Sequence, residues 1–372
     1  MKHVFSKGAL LLAMSALFLS SCKKEIATET SATQDEQSIR KADADRAVAA
    51  RNASVAEFEQ AFNAMGADAT ARAQKNIVQI AQSLPIFKSL VAAVVKTGLA
   101  STLSSASLNA TVFAPTDAAF AKLPAPFNNQ QNISAISDAT QIDALRNILL
   151  YHVLGTEVRR NQIAAGRSFA STLKPAVISN DNRVYFSNTL GLLLINGNSL
   201  VLLPNVDASN GIIHVIDDVL LPPSRNIAEI AIGNPAFSTL VAALVKTNLA
   251  GVFTGAGDFT VFAPTNTAFA SLPAPFNNAT NINAIASQGQ IDALANILKY
   301  HVTGSRYFAW DLGFFSSITT IAAAPSNKLT GILGFDGGYV KGNANPSFSR
   351  ITPANILATN GVVQVIDRVL LP

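Results

Sequence analysis

Residues Thr111–Ser137 read TVFAPTDAAFAKLPAPFNNQQNISAIS, and Thr260–Ala286 read TVFAPTNTAFASLPAPFNNATNINAIA, with 20 identities in 27 positions. Each copy opens with Thr-Val-Phe-Ala, a β-branched and aromatic run that favours a strand. Pro-Thr-Asp or Pro-Thr-Asn then turns the chain, and Thr116 or Asp117 (Thr265 or Asn266) is placed to cap the helix that follows. A strand, a turn and a capped helix, repeated this closely, mark a duplication.

The repeat extends in both directions. Asn76–Ala100 matches Asn226–Ala250 at 15 of 25 positions. Ile142-Asp-Ala-Leu-Arg-Asn-Ile-Leu-Leu-Tyr-His-Val returns as IDALANILKYHV from Ile291, and Gly211-IIHVIDDVLLP returns as GVVQVIDRVLLP, ending at Pro372. The offset stays at 149–150 residues, a duplicated domain rather than a solenoid unit. The two copies cover 76–222 and 226–372, with only Pro223-Ser224-Arg225 between them, so the domains are expected to pack or hinge closely. Asn76 and Asn226 are expected N-caps, and Leu90, Val91, Val94 and Val95 form one helical face. After Tyr151-His-Val the pattern alternates as strands do, through Arg183–Phe186, Leu192–Ile195, Ser199–Leu203 and Ile212–Ile216. Helices first and strands later indicate an α+β fold.

Charged residues make up 13% of the chain and hydrophobic residues 49%, and the charge is uneven. The stretch 22–75 holds 8 basic and 9 acidic residues, while the whole of 76–372 holds 17 and 14. The first stretch reads as a solvated arm with an Ala-rich helix, in which Val48, Val55, Phe58, Phe62 and Met65 share one face. That face suits packing on the first domain, or pairing with a partner helix. No basic block interleaves with aromatics, which argues against nucleic-acid binding.

Residues 1–21 have a basic start (Lys2, Lys7) and an apolar run from Gly8 to Leu19, too short for a bilayer and shaped like a secretory signal. Leu19-Ser20-Ser21 before Cys22, the only cysteine, resembles the bacterial lipobox, which implies cleavage there and a lipid on Cys22. Lys23 and Lys24 lean towards the outer membrane. The expected order is lipid, tether over 22–75, then two domains, with membrane contact through the N-terminal lipid alone.

TVFAPT[DN]xAF, the YHV segment and NGIIHVID–VLLP resemble the fasciclin-type domain, in order and in both copies. The resemblance implies, for each copy, a β-wedge of about seven strands with several helices, and a role in adhesion or matrix contact. It places Tyr151-His152 and Tyr300-His301 where some animal members bind partners. The alternative reading of each pair is a tie between helix and strand inside the domain. Asp217 and Asp367 read as carboxylates accepting backbone N–H bonds. His214, replaced by Gln364 in the second copy, reads as a surface or hydrogen-bonding strand residue and not a metal ligand.

The copies diverge most after the YHV segment. Thr156–Asn210 carries Arg159, Arg160, Arg167 and Arg183, whereas Ser305–Asn360 carries Tyr307, Phe308, Trp310, Phe314 and Phe315, then the Gly-rich run 331–342. This points to drift in surface loops, or to an aromatic surface offered to a ligand such as a glycan, with Trp310 as the residue to test. Three histidines outside the signal and no G-x-S-x-G elbow leave no catalytic constellation, so the chain is read as a non-enzyme needing no cofactor. The expected partner is a protein or glycan, and a periplasm-facing scaffold for another envelope protein is the alternative.

Overall fold

The computed structural model describes residues 74–372 apart from 178, 179, 314, 335 and 336, together with 42, 45, 46, 48, 49, 51–53, 55, 56, 58–60, 62 and 63. The signal-like segment, Cys22, Met65 and Phe314 lie outside the described residues.

Asn76 caps α1 (Ile77–Ser83) reciprocally: its side chain accepts from the Gln79 amide while the Gln79 side chain accepts from the Asn76 amide, each at 2.9 Å. Pro85 opens a 3-10 turn into α2 (Lys88–Lys96), and α3 (Ala100–Leu103) leads to β1 (Ala110–Pro115). Thr116 then caps α4 (Asp117–Phe120), leaving the Asp117 carboxylate free to accept from the Ser89 amide at 2.7 Å. Helices α5 (Gln130–Ala135) and α6 (Ala139–Tyr151) follow, and strands β2 (Val153–Leu154), β3 (Gly166–Ser171), β4 (Arg183–Thr189), β5 (Leu192–Ile195), β6 (Ser199–Ala208) and β7 (Gly211–Ile216) complete the domain.

The seven strands run in the order β2-β1-β7-β6-β5-β4-β3, and only β1 and β7 are parallel. The two most repeated segments are thus direct neighbours in the sheet. Both β1 and β7 are buried along their length, because the sheet is covered on both faces. Period-2 alternation sorts their side chains: Ala110, Val112 and Ala114 join the helical core, whereas Phe113 joins a second core with Phe186, Leu193 and Ile195.

The second domain repeats this plan with α7 (Ile227–Ile232), α8 (Ser238–Lys246), β8 (Phe259–Pro264), α9 (Asn266–Ala270), α10 (Ala279–Asn283), α11 (Gln288–Tyr300) and β9 (Val302–Thr303). Its later strands are β10 (Ser316–Thr319), β11 (Lys328–Gly334), β12 (Gly337–Lys341), β13 (Ser349–Arg350), β14 (Ile356–Ala358) and β15 (Gly361–Ile366). They form two four-stranded sheets, β10-β11-β12-β13 and β14-β15-β8-β9. The strand that is continuous as β6 is divided here into β13 and β14, with Pro353 in the gap. The Pro353 carbonyl still accepts from the Val365 amide at 3.3 Å across this gap, and β6 itself runs through Pro204. In β6 the same region holds the register shifts between Val201 and Val206.

The arm is helical at every described position between 42 and 63. Phe62 is fully buried in the first domain's helical core, with Phe58 packed beside it. Val48 and Val55 lie on a cluster that combines Leu192, Leu194 and Leu200 of the first domain with Trp310 and Leu333 of the second. The arm helix therefore crosses from one domain to the other.

Candidate functional site

The Tyr-His pairs do not form a surface. Tyr151, His152, Tyr300 and His301 are each at most 2% exposed. At the end of α6 the Tyr151 hydroxyl donates to the Arg183 carbonyl and accepts from Asn196 Nδ2 at 3.2 Å. His152 Nδ1 lies 2.7 Å from the Ile148 carbonyl, and its Nε2 accepts from the Leu220 amide at 2.9 Å. The second copy matches: His301 bridges the Ile297 carbonyl (2.7 Å) and the Leu370 amide (2.8 Å), and the Tyr300 hydroxyl donates to the Lys328 carbonyl. Burial lowers both imidazoles to about 4, so each is the neutral Nδ1–H tautomer. In both copies the histidine joins the helix end to the closing VLLP segment, and the tyrosine joins it to a strand carbonyl on β4 or β11.

His214 and Gln364 show why that exchange is tolerated. His214 Nδ1 accepts from the Asn205 amide at 3.2 Å and Nε2 donates to the Val158 carbonyl at 2.9 Å. Gln364 accepts from the Asn355 amide at 2.8 Å and donates to the Tyr307 carbonyl at 2.9 Å. One donor and one acceptor at fixed spacing serve in both copies. His214→Gln is therefore expected to shift stability by less than about 1 kcal/mol, whereas His214→Leu costs about 3 kcal/mol by orphaning both backbone groups. Urea unfolding of the two variants checks this. Asp217 likewise accepts from the Leu200 amide at 2.6 Å, and Asp367 from the Arg350 amide at 2.9 Å. Burial raises the Asp217 carboxyl and the Leu200 bond partly offsets it.

The divergent stretches meet each other. Arg167, on β3, sets its guanidinium 3.8 Å from the Tyr307 ring centroid and donates to the Arg306 carbonyl at 2.6 Å. Reciprocally, the buried Arg306 lies 4.1 Å over Tyr185 of β4, which also packs on Phe308 with centroids 6.1 Å apart. Arg306 is held by Asp258 at 2.6 Å and by the Ala358 and Gly361 carbonyls. Asn355 reaches back to Gly197 O at 3.1 Å and Asn198 Oδ1 at 2.9 Å. Trp310 is only 9% exposed, packed among Leu192, Leu194 and Leu200 and covered by Arg51 at 4.8 Å. Phe308 and Trp310 bury their area against the first domain, Tyr307 takes Arg167 of that domain on its ring, and Phe315 packs edge-on against Phe348. Sequence reasoning named Arg167, Tyr307, Phe308 and Trp310 but missed Arg306, Tyr185 and Asn355, whose only signal was membership in the segments that differ between copies.

Beside this seam lies a cleft of about 1070 Å³ between the domains. One wall is the β5–β6 turn (Asn196, Gly197, Asn198) and the closing segment through Pro222, and the other includes Trp310 and Asn355. Arg51 of the arm and Arg225 of the connection line it, as does Lys122, which pairs with Asp218 at 2.7 Å. The site thus requires both domains and the arm. Among the described residues no group of three His, Cys, Asp or Glu side chains is placed to hold a metal ion.

The model of the Fasciclin domain matches residues 85–222 and 235–372. The Synechocystis sp. protein sll1735 is 37% identical over 146 residues, 39% of this chain and 97% of that protein. Transforming growth factor-beta-induced protein ig-h3 of Sus scrofa is 30% identical over 253 residues, 67% of this chain and 33% of that protein. Among solved structures, a FAS1 domain pair from the insect cell adhesion molecule Fasciclin I covers 75% of this chain and 95% of its own, with 18% identity and a TM-score of 0.36.

Proposed function

The chain belongs to the fasciclin family and carries two of its domains in tandem, and from that premise we propose that it is a lipid-anchored envelope protein that binds a ligand in its interdomain cleft. Fasciclin domains occur in adhesion and ligand-binding proteins, which supports a binding role over catalysis. The lipobox-like Leu19-Ser20-Ser21-Cys22 supports the anchor, with the lipid burying methylenes in a membrane. No single helix among the described residues is long and apolar enough to cross a membrane.

The observation that carries the reading is the cleft itself. It is concave, mixes polar and apolar groups, and draws its walls from both copies, the features of a site held by a domain interface. The arm helix over the seam gives the anchor a fixed attachment to the body that binds.

Two measurements test this. Asn198→Trp, which fills the cleft from an exposed turn, is expected to lower adhesion of whole cells to their matrix at least about tenfold, a loss near 1.4 kcal/mol. It also removes the bond from Asn355, worth about 1 kcal/mol, and urea unfolding of the variant should show both domains still folded. Unchanged adhesion overturns the cleft. Protease shaving of intact cells is expected to remove both domains, and Cys22→Ser to release the protein from the membrane. Protection until the outer membrane is opened would instead make the chain a periplasm-facing scaffold.

A further inference from the structure

The hydrogen-bonding groups of the cleft are unbalanced, and the imbalance specifies a ligand class. Its amide oxygens, and one oxygen of the Asp218 carboxylate, are already engaged by the protein. Asp218 accepts from Lys122, Asn196 Oδ1 from the Tyr185 amide, and Asn198 Oδ1 from Asn355. Asn355 Oδ1 serves both the Ala309 amide and Gln364 Nε2, each at 2.8 Å. The donors are not consumed in the same way. Among the described residues, neither the Arg51 nor the Arg225 guanidinium has a carboxylate within ion-pair distance, although both line the cleft. Lys122 and Asp218 neutralise one another, so these four side chains leave two positive charges.

Resting on the cleft as the binding site, we infer that its ligand is an anionic oligosaccharide, whose carboxylate or sulfate groups pair with Arg51 and Arg225. A guanidinium offers five N–H donors in a fixed fork that matches either anion with two parallel bonds. A sugar suits the remaining surface better than a peptide does. Each peptide residue brings an N–H that needs an acceptor, and the cleft's amide oxygens are taken, which leaves the Ser199 and Ser224 hydroxyls and one Asp218 oxygen. A sugar hydroxyl has two lone pairs and can turn to accept from a donor such as Asn198 Nδ2. The volume of about 1070 Å³ accommodates several rings rather than a single small ion. Arg51 already occupies the face of Trp310, so recognition here runs through charge and hydrogen bonds and not through ring stacking.

The test is calorimetric titration of the full chain with four probes: a galacturonate tetrasaccharide, a sulfated dextran oligomer, a neutral maltotetraose and an oligo-glutamate of equal charge. One or both anionic sugars are expected to bind, and which of them binds separates carboxylate from sulfate recognition. Affinity should fall as salt rises above roughly 0.1 M, where the screening length is about 10 Å, towards about 1 M, where it is about 3 Å. Arg225→Gln and Arg51→Gln are each expected to weaken binding about tenfold, and Arg225→Lys by less, because it keeps the charge but loses the fork. Arg51 also packs the arm, so Arg225→Gln is the decisive variant if Arg51→Gln alters folding. Tight binding of neither anionic sugar, or equal affinity in Arg225→Gln, overturns the inference. Stronger binding of oligo-glutamate replaces the sugar with an acidic peptide. Equal binding of maltotetraose that Asn198→Trp abolishes removes the anion and leaves the cleft standing; sugar binding that Asn198→Trp does not alter removes the cleft itself.

Discussion

His152→Ala is expected to destabilise the first domain by about 4 kcal/mol, and His301→Ala the second by a similar amount, because each deletion leaves a buried amide and a helix-end carbonyl without partners and opens a cavity. Such losses approach the whole stability of a small domain. Equilibrium urea unfolding, followed by a probe in each domain, checks the values; a change below about 1 kcal/mol for either would mean that the helix-to-VLLP tie is dispensable.

The same two imidazoles set a pH dependence of definite sign. Their folded values are depressed to about 4 from an ordinary 6.5, because burial disfavours the charged ring. Their stabilisation is therefore complete above the unfolded value. It is lost as the pH falls from 6.5 to 4, by roughly 3 kcal/mol per histidine, and changes no further below that. His214 is depressed in the same direction by burial and Gln364 does not titrate, so the first domain should lose stability on acidification more steeply than the second. His214→Gln should reduce that difference. Equal acid limbs in the two domains of the unmodified chain would contradict this assignment.

The second large effect concerns the seam. Arg306→Ala removes the ion pair to Asp258, the bonds to Ala358 and Gly361 and the face contact with Tyr185 at once. It is expected to cost the second domain about 3 kcal/mol, from the two carbonyls left without a donor and the lost packing of a buried side chain, since Asp258 is half exposed and can be rehydrated. It should also separate thermal unfolding into two transitions. Gly197→Val reaches the seam from the other side. Gly197 sits at φ +75°, and a Cβ there would lie 2.5 Å from the Phe308 ring, so any side chain forces the two surfaces apart. That variant should decouple the domains while leaving the second domain's own bonds intact. If both variants unfold in a single transition, something other than this seam joins the domains.

The residues legible in the sequence were those whose partners are close in the chain or recur in both copies. Asn76 and Asn226 bond the amide three residues on, Thr116 and Thr265 do the same, and periodicity placed Leu90, Val91 and Val94 on the packed face of α2, although Val95, expected there too, is exposed. Duplication then doubled each signal, and the α+β plan followed. Tertiary structure alone decided which polar and aromatic groups face inward. Arg167 finds its carbonyl 139 residues away, and Asn355 finds Asn198 at a separation of 157. No local pattern encodes such a pairing, because a side chain's burial depends on what a distant segment lays over it. The arginines of one copy and the rings of the other therefore read as loop drift or as a ligand surface. Only the packed domains show that Arg167 of one set meets Tyr307 of the other, that Phe308 and Trp310 pack on the first domain, and that the cleft beside them belongs to neither domain alone.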